Sequence, residues 1–136
     1  MSALSEIAVS VEAATGNVQP LLHELRHALA RLESIGEETA IDLRGLPLAP
    51  GEEAKIEEVL GIGEVYAEID ALGITTVQET AFSGIWMVTH RNIENEIVAR
   101  FVEVCRMPEI LRAQPEDIQR SVIRLEQSLS GEAPAT

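Results

Sequence analysis

A single cysteine, Cys105, removes two classes of chemistry at once: without a second thiol there is no internal disulfide and no site built on paired thiolates. That usage fits a reducing compartment, and the cytoplasm is the expected location. Basic residues are also few, 10 Lys and Arg against 23 Asp and Glu, giving a formal net charge of −13. Phosphate backbones and anionic lipid surfaces repel such a chain, so nucleic acid is not an expected partner. Although 46% of the residues are hydrophobic, no run approaches the roughly 20 apolar residues that a membrane-spanning helix needs. The opening MSALSEIAVSVEAATG lacks a basic start followed by an apolar stretch, so no secretory signal is expected. Aromatics are scarce, with one Trp, one Tyr and two Phe, and their positions are informative for that reason.

What is present is a chain of 136 residues, enough for one hydrophobic core and too few for two. From Asn17 to Ser34, the residues Val18, Leu21, Leu22, Leu25, Leu29 and Leu32 recur at helical spacing on one face, and Gly36 offers a stop. TAIDL (Thr39 to Leu43) is a short strand candidate. The loop LPLAPG leads into a second, short helix, whose Glu52 and Glu53 suit its positive end and whose stripe is Ile56, Val59 and Leu60. Beyond Gly63 the period changes to 2. Glu64 to Ala71, Ile74 to Ala81, Gly84 to Arg91 and Glu96 to Cys105 read as strands joined by LG, FS and NIEN, which are hairpin-length connections. Pro115 with Glu116 and Asp117 opens a last helix striped by Ile118, Val122, Leu125 and Leu129. The expected fold is α+β, an antiparallel four-stranded meander extended to five strands if TAIDL pairs, with helices packed on one face. It forms one domain over residues 17–130, between an N-terminal arm or edge strand (1–16) and a disordered tail (131–136).

The stretch HELRH, His23 to His27, is a literal match to the zinc-peptidase signature H-E-x-x-H. A catalytic helix turns its two histidines toward the protein, with a third ligand nearby. Here His23 and His27 lie almost opposite the leucine stripe, and the extended motif's Gly and His are replaced by Ala30 and Glu33. Solvated surface histidines are the simpler reading, and neither a zinc site nor peptidase activity is expected. Cys105 has no base marked for it, and GIGEV follows a helix and leads into a strand, the reverse of a dinucleotide-binding order. No catalytic residue, metal or cofactor is assigned.

If the first two hairpins turn on two residues each and the last on four, alternation assigns the sheet faces. Val65, Ala67, Ile69, Ile74, Ile85, Met87, Val98, Val102 and Val104 form the face that helices should cover. The other face collects Tyr66, Glu68, Asp70, Val77, Glu79, Trp86, Val88 and His90, with Ile97, Phe101 and Cys105. Glu79 then sits opposite Trp86, with Phe101 flanking it. Three readings of this mixed face stand side by side: ordinary core under the N-terminal segment or the last helix, a partner surface with an apolar centre and an acidic rim, or a small-molecule or metal pocket using Glu79, His90 or Asp70.

Four stretches carry a resemblance to a known family: IDLRGLPL (Ile41 to Leu48), GEEAKIEEVLGIGEVYAEIDALG (Gly51 to Gly73), ETAFSGIWMVTHRN (Glu79 to Asn92) and EVCRMPEILRAQPEDI (Glu103 to Ile118). In order and spacing they resemble the C-terminal region of the HupH/HyaF family of hydrogenase expression proteins, with ETxxxGIWxVxHxN the most specific piece. The resemblance implies an accessory protein needed to make an active nickel-iron uptake hydrogenase, acting in assembly and absent from the finished enzyme. Glu64, Glu79, Gly84, Trp86, His90, Asn92, Glu103 and Pro108 match the family pattern. Family members are typically longer, sometimes with a second related region, and homodimerisation through the mixed face would substitute for it here.

Together these readings point to a non-catalytic assembly factor that binds a hydrogenase subunit or another maturation protein. The expected binding residues are Trp86 as anchor, Phe101 and Tyr66 beside it, Glu79 and Glu64 for charge complementarity, and His90 and Asn92 as polar contacts. The alternative is a metal- or small-ligand-handling protein of the same pathway.

Overall fold

The computed structural model describes residues 16–131, so the N-terminal arm and the tail beyond Gly131 lie outside the described residues. The described residues form two compact units that divide between Arg106 and Met107.

The first unit opens with helix α1 (Val18–Ile35), whose apolar residues, three and four apart, bury Val18, Leu21, Leu25 and Ala28. After β1 (Thr39–Asp42) and a 3₁₀ turn (Leu43–Gly45), the chain enters α2 (Glu52–Leu60). A reciprocal pair fixes this start. Glu52 N–H donates to the Ala49 carbonyl at 3.0 Å, and Ala49 N–H donates to Glu52 Oε1 at 2.8 Å. The Glu52 side chain is thereby buried at the helix's positive end, where a carboxylate is favourable.

Strands β2 (Tyr66–Asp70), β3 (Ile74–Glu79), β4 (Ile85–Arg91) and β5 (Ile97–Val104) form the expected meander, and β1 pairs with β5 to give the sheet order β1-β5-β4-β3-β2, antiparallel throughout. The fifth strand is the expected TAIDL. Ile85, Met87, Val102 and Val104 on one face meet Leu21 and Leu25 of α1 and Ile56 and Leu60 of α2 in a single core. Arg100, on the same face, pins α2 to the sheet with Nη1 at 3.0 Å from Glu53 and Nη2 at 2.6 Å from Glu57. Its Nε donates to Thr89 Oγ1 at 3.1 Å.

The two helices cover the β1, β5 and β4 part of this face. Toward β3 and β2 the same face stays open: Ile74 is 37% exposed and Tyr66 54%. Here the structure corrects the sequence reading. Asp70 pairs with Ile74, so the first hairpin turns on three residues, Ala71–Gly73, with Leu72 at φ 54° and Gly73 at φ 120°. A one-residue change of register turns every side chain of a strand over. Tyr66, Glu68 and Asp70 therefore share the helix-bearing face with Met87, while Ala67 and Ile69 join Val77 and Val88 on the other.

The second unit contains a 3₁₀ turn (Glu109–Leu111) and α3 (Pro115–Leu129), which begins with Pro in the first turn followed by Glu116 and Asp117. Arg112 Nε and Nη2 donate to the Met107 carbonyl at 3.1 and 2.6 Å, closing the turn. The expected apolar stripe is present and exposed, from Ile118 through Val122 and Leu125 to Leu129.

Candidate functional site at the Trp86 end of the sheet

The most distinctive sequence stretch, ETAFSGIW, forms the β3–β4 turn and its two flanks. Thr80 locks the turn: its hydroxyl donates to the Ile85 carbonyl at 2.9 Å and accepts from Phe82 N–H at 3.2 Å. Gly84 adopts φ +96°, and a Cβ there would stand 2.9 Å from Leu29 Cδ1, so α1 packs directly on the turn. Trp86 is 5% exposed, and its indole N–H donates to the Cys105 carbonyl at 3.1 Å, tying β4 to the end of β5.

Glu79, at the end of β3, uses its carboxylate on backbone. Oε1 accepts from Glu64 N–H at 3.1 Å and Val65 N–H at 3.3 Å, which sets the chain's approach to β2. That approach demands glycine at position 63, because a Cβ there would lie 2.3 Å from the Thr80 carbonyl oxygen and 2.9 Å from Glu79 Oε1. The second glycine of GIGEV is explained by this crossing, and the first, Gly61, caps α2 at φ 69°.

Between α1 and this turn lies an open cleft of about 520 Å³. Leu29, Leu32 and Trp86 supply its apolar wall, and Glu33, Glu79 and Arg106 bring charge to it. It can take an apolar side chain or a small molecule with polar groups at the rim.

The other expected binding residues separate. His90 and Phe101 share the Trp86 face, where His90 Nδ1 is 2.9 Å from Thr75 Oγ1 and the two rings meet edge to face at 6.0 Å. Phe101 is not directly beside Trp86, as the sequence reading placed it. It pairs with Val88 while Trp86 pairs with Glu103, a shift of two residues: the last hairpin closes between Asn92 and Glu96 around three residues instead of four, and an irregularity at His90/Arg91 adds the second. Asn92 serves the last hairpin, its Oδ1 accepting from Glu94 and Glu96 N–H, both at 3.0 Å. Tyr66 stands on the opposite face, its hydroxyl donating to Glu68 Oε1 at 2.7 Å. That hydrogen bond, then burial, then the Glu68 charge hold the phenol above its ordinary pKa. The centre of the Trp86 face is buried at Val77 and Val88.

Leu29, Leu32, Glu33 and Arg106 were not marked as site residues by the sequence. Leu29 and Leu32 belong to a regular core stripe, and only the packing of α1 on the Gly84 turn shows that their upper ends face a cleft. His23, Glu24 and His27 are exposed on α1, with Leu25 buried between them. Among the described residues no group of three or more His, Cys, Asp or Glu stands together as a metal-holding set.

With this geometry in hand, known proteins can be set beside the chain. Residues 15–131 match the family described as "HupH hydrogenase expression protein, C-terminal conserved region". The hydrogenase expression/formation protein HupH of Rhizobium leguminosarum bv. viciae is 29% identical over 109 residues, and HoxQ of Azotobacter vinelandii, also named a hydrogenase expression/formation protein, is 32% identical over 111. Each match takes in 80% of this chain and 39% of the relative, so the chain spans about two fifths of the length of these curated relatives. The solved structure of the hydrogenase expression protein HupH from Thiobacillus denitrificans superposes with a TM-score of 0.82 at 35% identity, covering 86% of this chain and 98% of that one. The five-stranded antiparallel sheet and three helices are thus a fold shared with that protein. The chain belongs to the HupH family of hydrogenase expression proteins, through its C-terminal conserved region.

Proposed function

We propose that this chain is a non-catalytic accessory factor in the maturation of a nickel-iron uptake hydrogenase, acting in the cytoplasm by binding a hydrogenase subunit or another maturation protein. The observation that carries the reading is the division of labour at the Trp86 end. The side chains of Thr80, Trp86 and Glu79 are engaged in holding the turn and strands, and what they hold open is a concave surface walled by Leu29, Leu32 and Trp86. An apolar centre with charges at its rim is the anatomy of a protein contact. Trp86 acts there as the rigid wall, with Glu79 and Arg106 at the rim and Phe101, His90 and Asn92 keeping the adjoining strands in register. Glu64 adds acidity beside Glu79, and Tyr66 belongs to a separate surface. The relatives' shared naming as hydrogenase expression/formation proteins supplies the process.

The test is deletion of the coding sequence in its host, followed by hydrogen-dependent dye reduction and immunoblotting of the hydrogenase subunits. Loss of activity with subunits still synthesised supports the reading, and unchanged activity defeats it. In the same host, Arg106→Glu, which reverses an exposed charge at the cleft rim, should reproduce the loss while the purified variant stays folded.

A second reading, a handler of a metal or small ligand in the same pathway, is favoured by the cleft's volume, which lies within the range of small-molecule sites. Elemental analysis of untagged protein decides it: stoichiometric nickel, iron or zinc supports it.

A further inference from the structure

The open part of the helix-bearing sheet face forms a second concavity, a groove of about 710 Å³ between α2 and the β2–β4 strands. Leu60 and Met87 lie at its base, and Ile62, Tyr66 and Ile74 offer exposed apolar surface, at 78%, 54% and 37% exposure. At the end of the sheet where the groove stops, Leu72 (93% exposed) and Ile93 (77%) project from two neighbouring hairpin tips. Unburied apolar side chains in such a run mark a contact surface.

The charge around this groove selects the occupant. Glu57 and Glu58 line the α2 wall, Glu68 lines the β2 wall, and Glu64 and Asp70 stand exposed at the two ends of β2. The cations at the groove are engaged, Arg100 with Glu53 and Glu57, Arg91 with the Asn95 carbonyl and Lys55 at 3.8 Å from Glu58, so the acidity left to attract a partner is chiefly that of Glu68, Glu64 and Asp70. A second copy of this chain would bring another −13 charge to the surface, which disfavours it as occupant. A segment with apolar side chains on one side and Lys or Arg on the other is complementary in both respects.

We infer that the groove between α2 and the β2–β4 strands is a docking site for a cationic, amphipathic peptide segment of a partner protein. This rests on the protein-binding reading above and adds to it a second surface and the chemistry of what lies there. β2 has five residues, about 17 Å of strand, so the segment in contact is short.

The probe is a fluorescein-labelled amphipathic peptide of Leu and Lys, titrated with the full chain and read by fluorescence anisotropy. Saturable binding is expected. Thr76→Trp, which fills the groove floor, and Ile62→Ser, which removes an exposed apolar contact, should each weaken it at unchanged net charge. Glu58→Gln with Glu68→Gln should weaken it about tenfold, the sum of two exposed charge contacts, whereas Glu24→Gln with Glu37→Gln, exposed residues of the first unit that do not line the groove, should leave it unchanged. Equal weakening by the two charge-matched pairs would mean attraction by net charge alone and would overturn the site, as would full binding by both Thr76→Trp and Ile62→Ser. Circular dichroism confirms that each variant is folded. Returned to the deletion host, the groove variants should lower hydrogenase activity. Full activity with the groove filled overturns the groove and leaves the maturation reading standing, whereas a deletion without effect overturns the maturation reading itself.

Discussion

Glu79 and Glu64 meet as carboxylate and amide: Glu79 Oε1 accepts from the Glu64 N–H at 3.1 Å, across a gap of 15 residues in sequence. The finding gives Glu79 a backbone-setting task. Glu79→Gln keeps one acceptor and weakens the bonds, and Glu79→Ala removes them. The expected loss of stability is about 1 kcal/mol for Ala and less for Gln, read by urea denaturation.

Gly63 belongs to the same crossing and should be less tolerant. Gly63→Ala places a methyl carbon 2.3 Å from the Thr80 carbonyl oxygen, which is backbone and held in the turn. The β2 approach must shift, costing roughly 2 to 4 kcal/mol. Hydrogen exchange should show β2 and the end of β3 opening first, with the α1 amides still protected.

Trp86 contributes both volume and a hydrogen bond. Trp86→Phe removes the donor to the Cys105 carbonyl and should cost about 1 to 2 kcal/mol. Trp86→Ala leaves a large buried void and should cost about 3 to 5 kcal/mol. Arg106→Glu, at the exposed cleft rim, is therefore the variant suited to separating binding from folding, with thermal melts as the check.

The chain has a single tyrosine, so the phenol–phenolate absorbance change reports Tyr66 alone. Its pKa lies above the ordinary value of 10.0, first through the hydrogen bond to Glu68, then through burial and the Glu68 charge. A raised folded pKa contributes stability that is complete below the unfolded value and is lost as pH rises through the folded one. Glu68→Ala, which removes both the acceptor and the charge, should bring the spectroscopic midpoint down toward 10.0 and reduce that alkaline dependence.

Arg100 should be hard to replace by Lys. Its two terminal nitrogens divide between Glu53 and Glu57 while Nε reaches Thr89, a fork that an ammonium cannot reproduce. Arg100→Lys should destabilise by about 1 kcal/mol and Arg100→Met by about 2 kcal/mol, with hydrogen exchange accelerating in α2 before the sheet.

Where local pattern decides, the sequence was a sufficient guide. The α1 stripe, the TAIDL strand, the change of period after Gly63 and the Pro115 helix start all carry signals within a few residues, and each element is found. The orientation of β2 depended instead on whether Ala71–Gly73 turns on two residues or three, and that rests on Leu72 accepting φ 54°. The extent of the helix layer is equally a long-range property. Two helices of 18 and 9 residues cover only part of the sheet face, so polar Tyr66, Glu68 and Asp70 can stand on the helix side. At the site, ETAFSGIW was legible as a motif, but the bonds of Trp86, Glu79 and Thr80 are contacts between distant segments. No spacing rule encodes them.

The two outer strands have a consequence for life in a crowded solution. β1 has four residues and ends at Asp42, whose carboxylate accepts from the Arg44 N–H and turns the chain away. β2 carries Glu68 and Asp70. Short length at one margin and like charge at the other deny a neighbouring molecule the template for adding a sixth strand. The chain is thereby kept from polymerising with itself through its sheet margins.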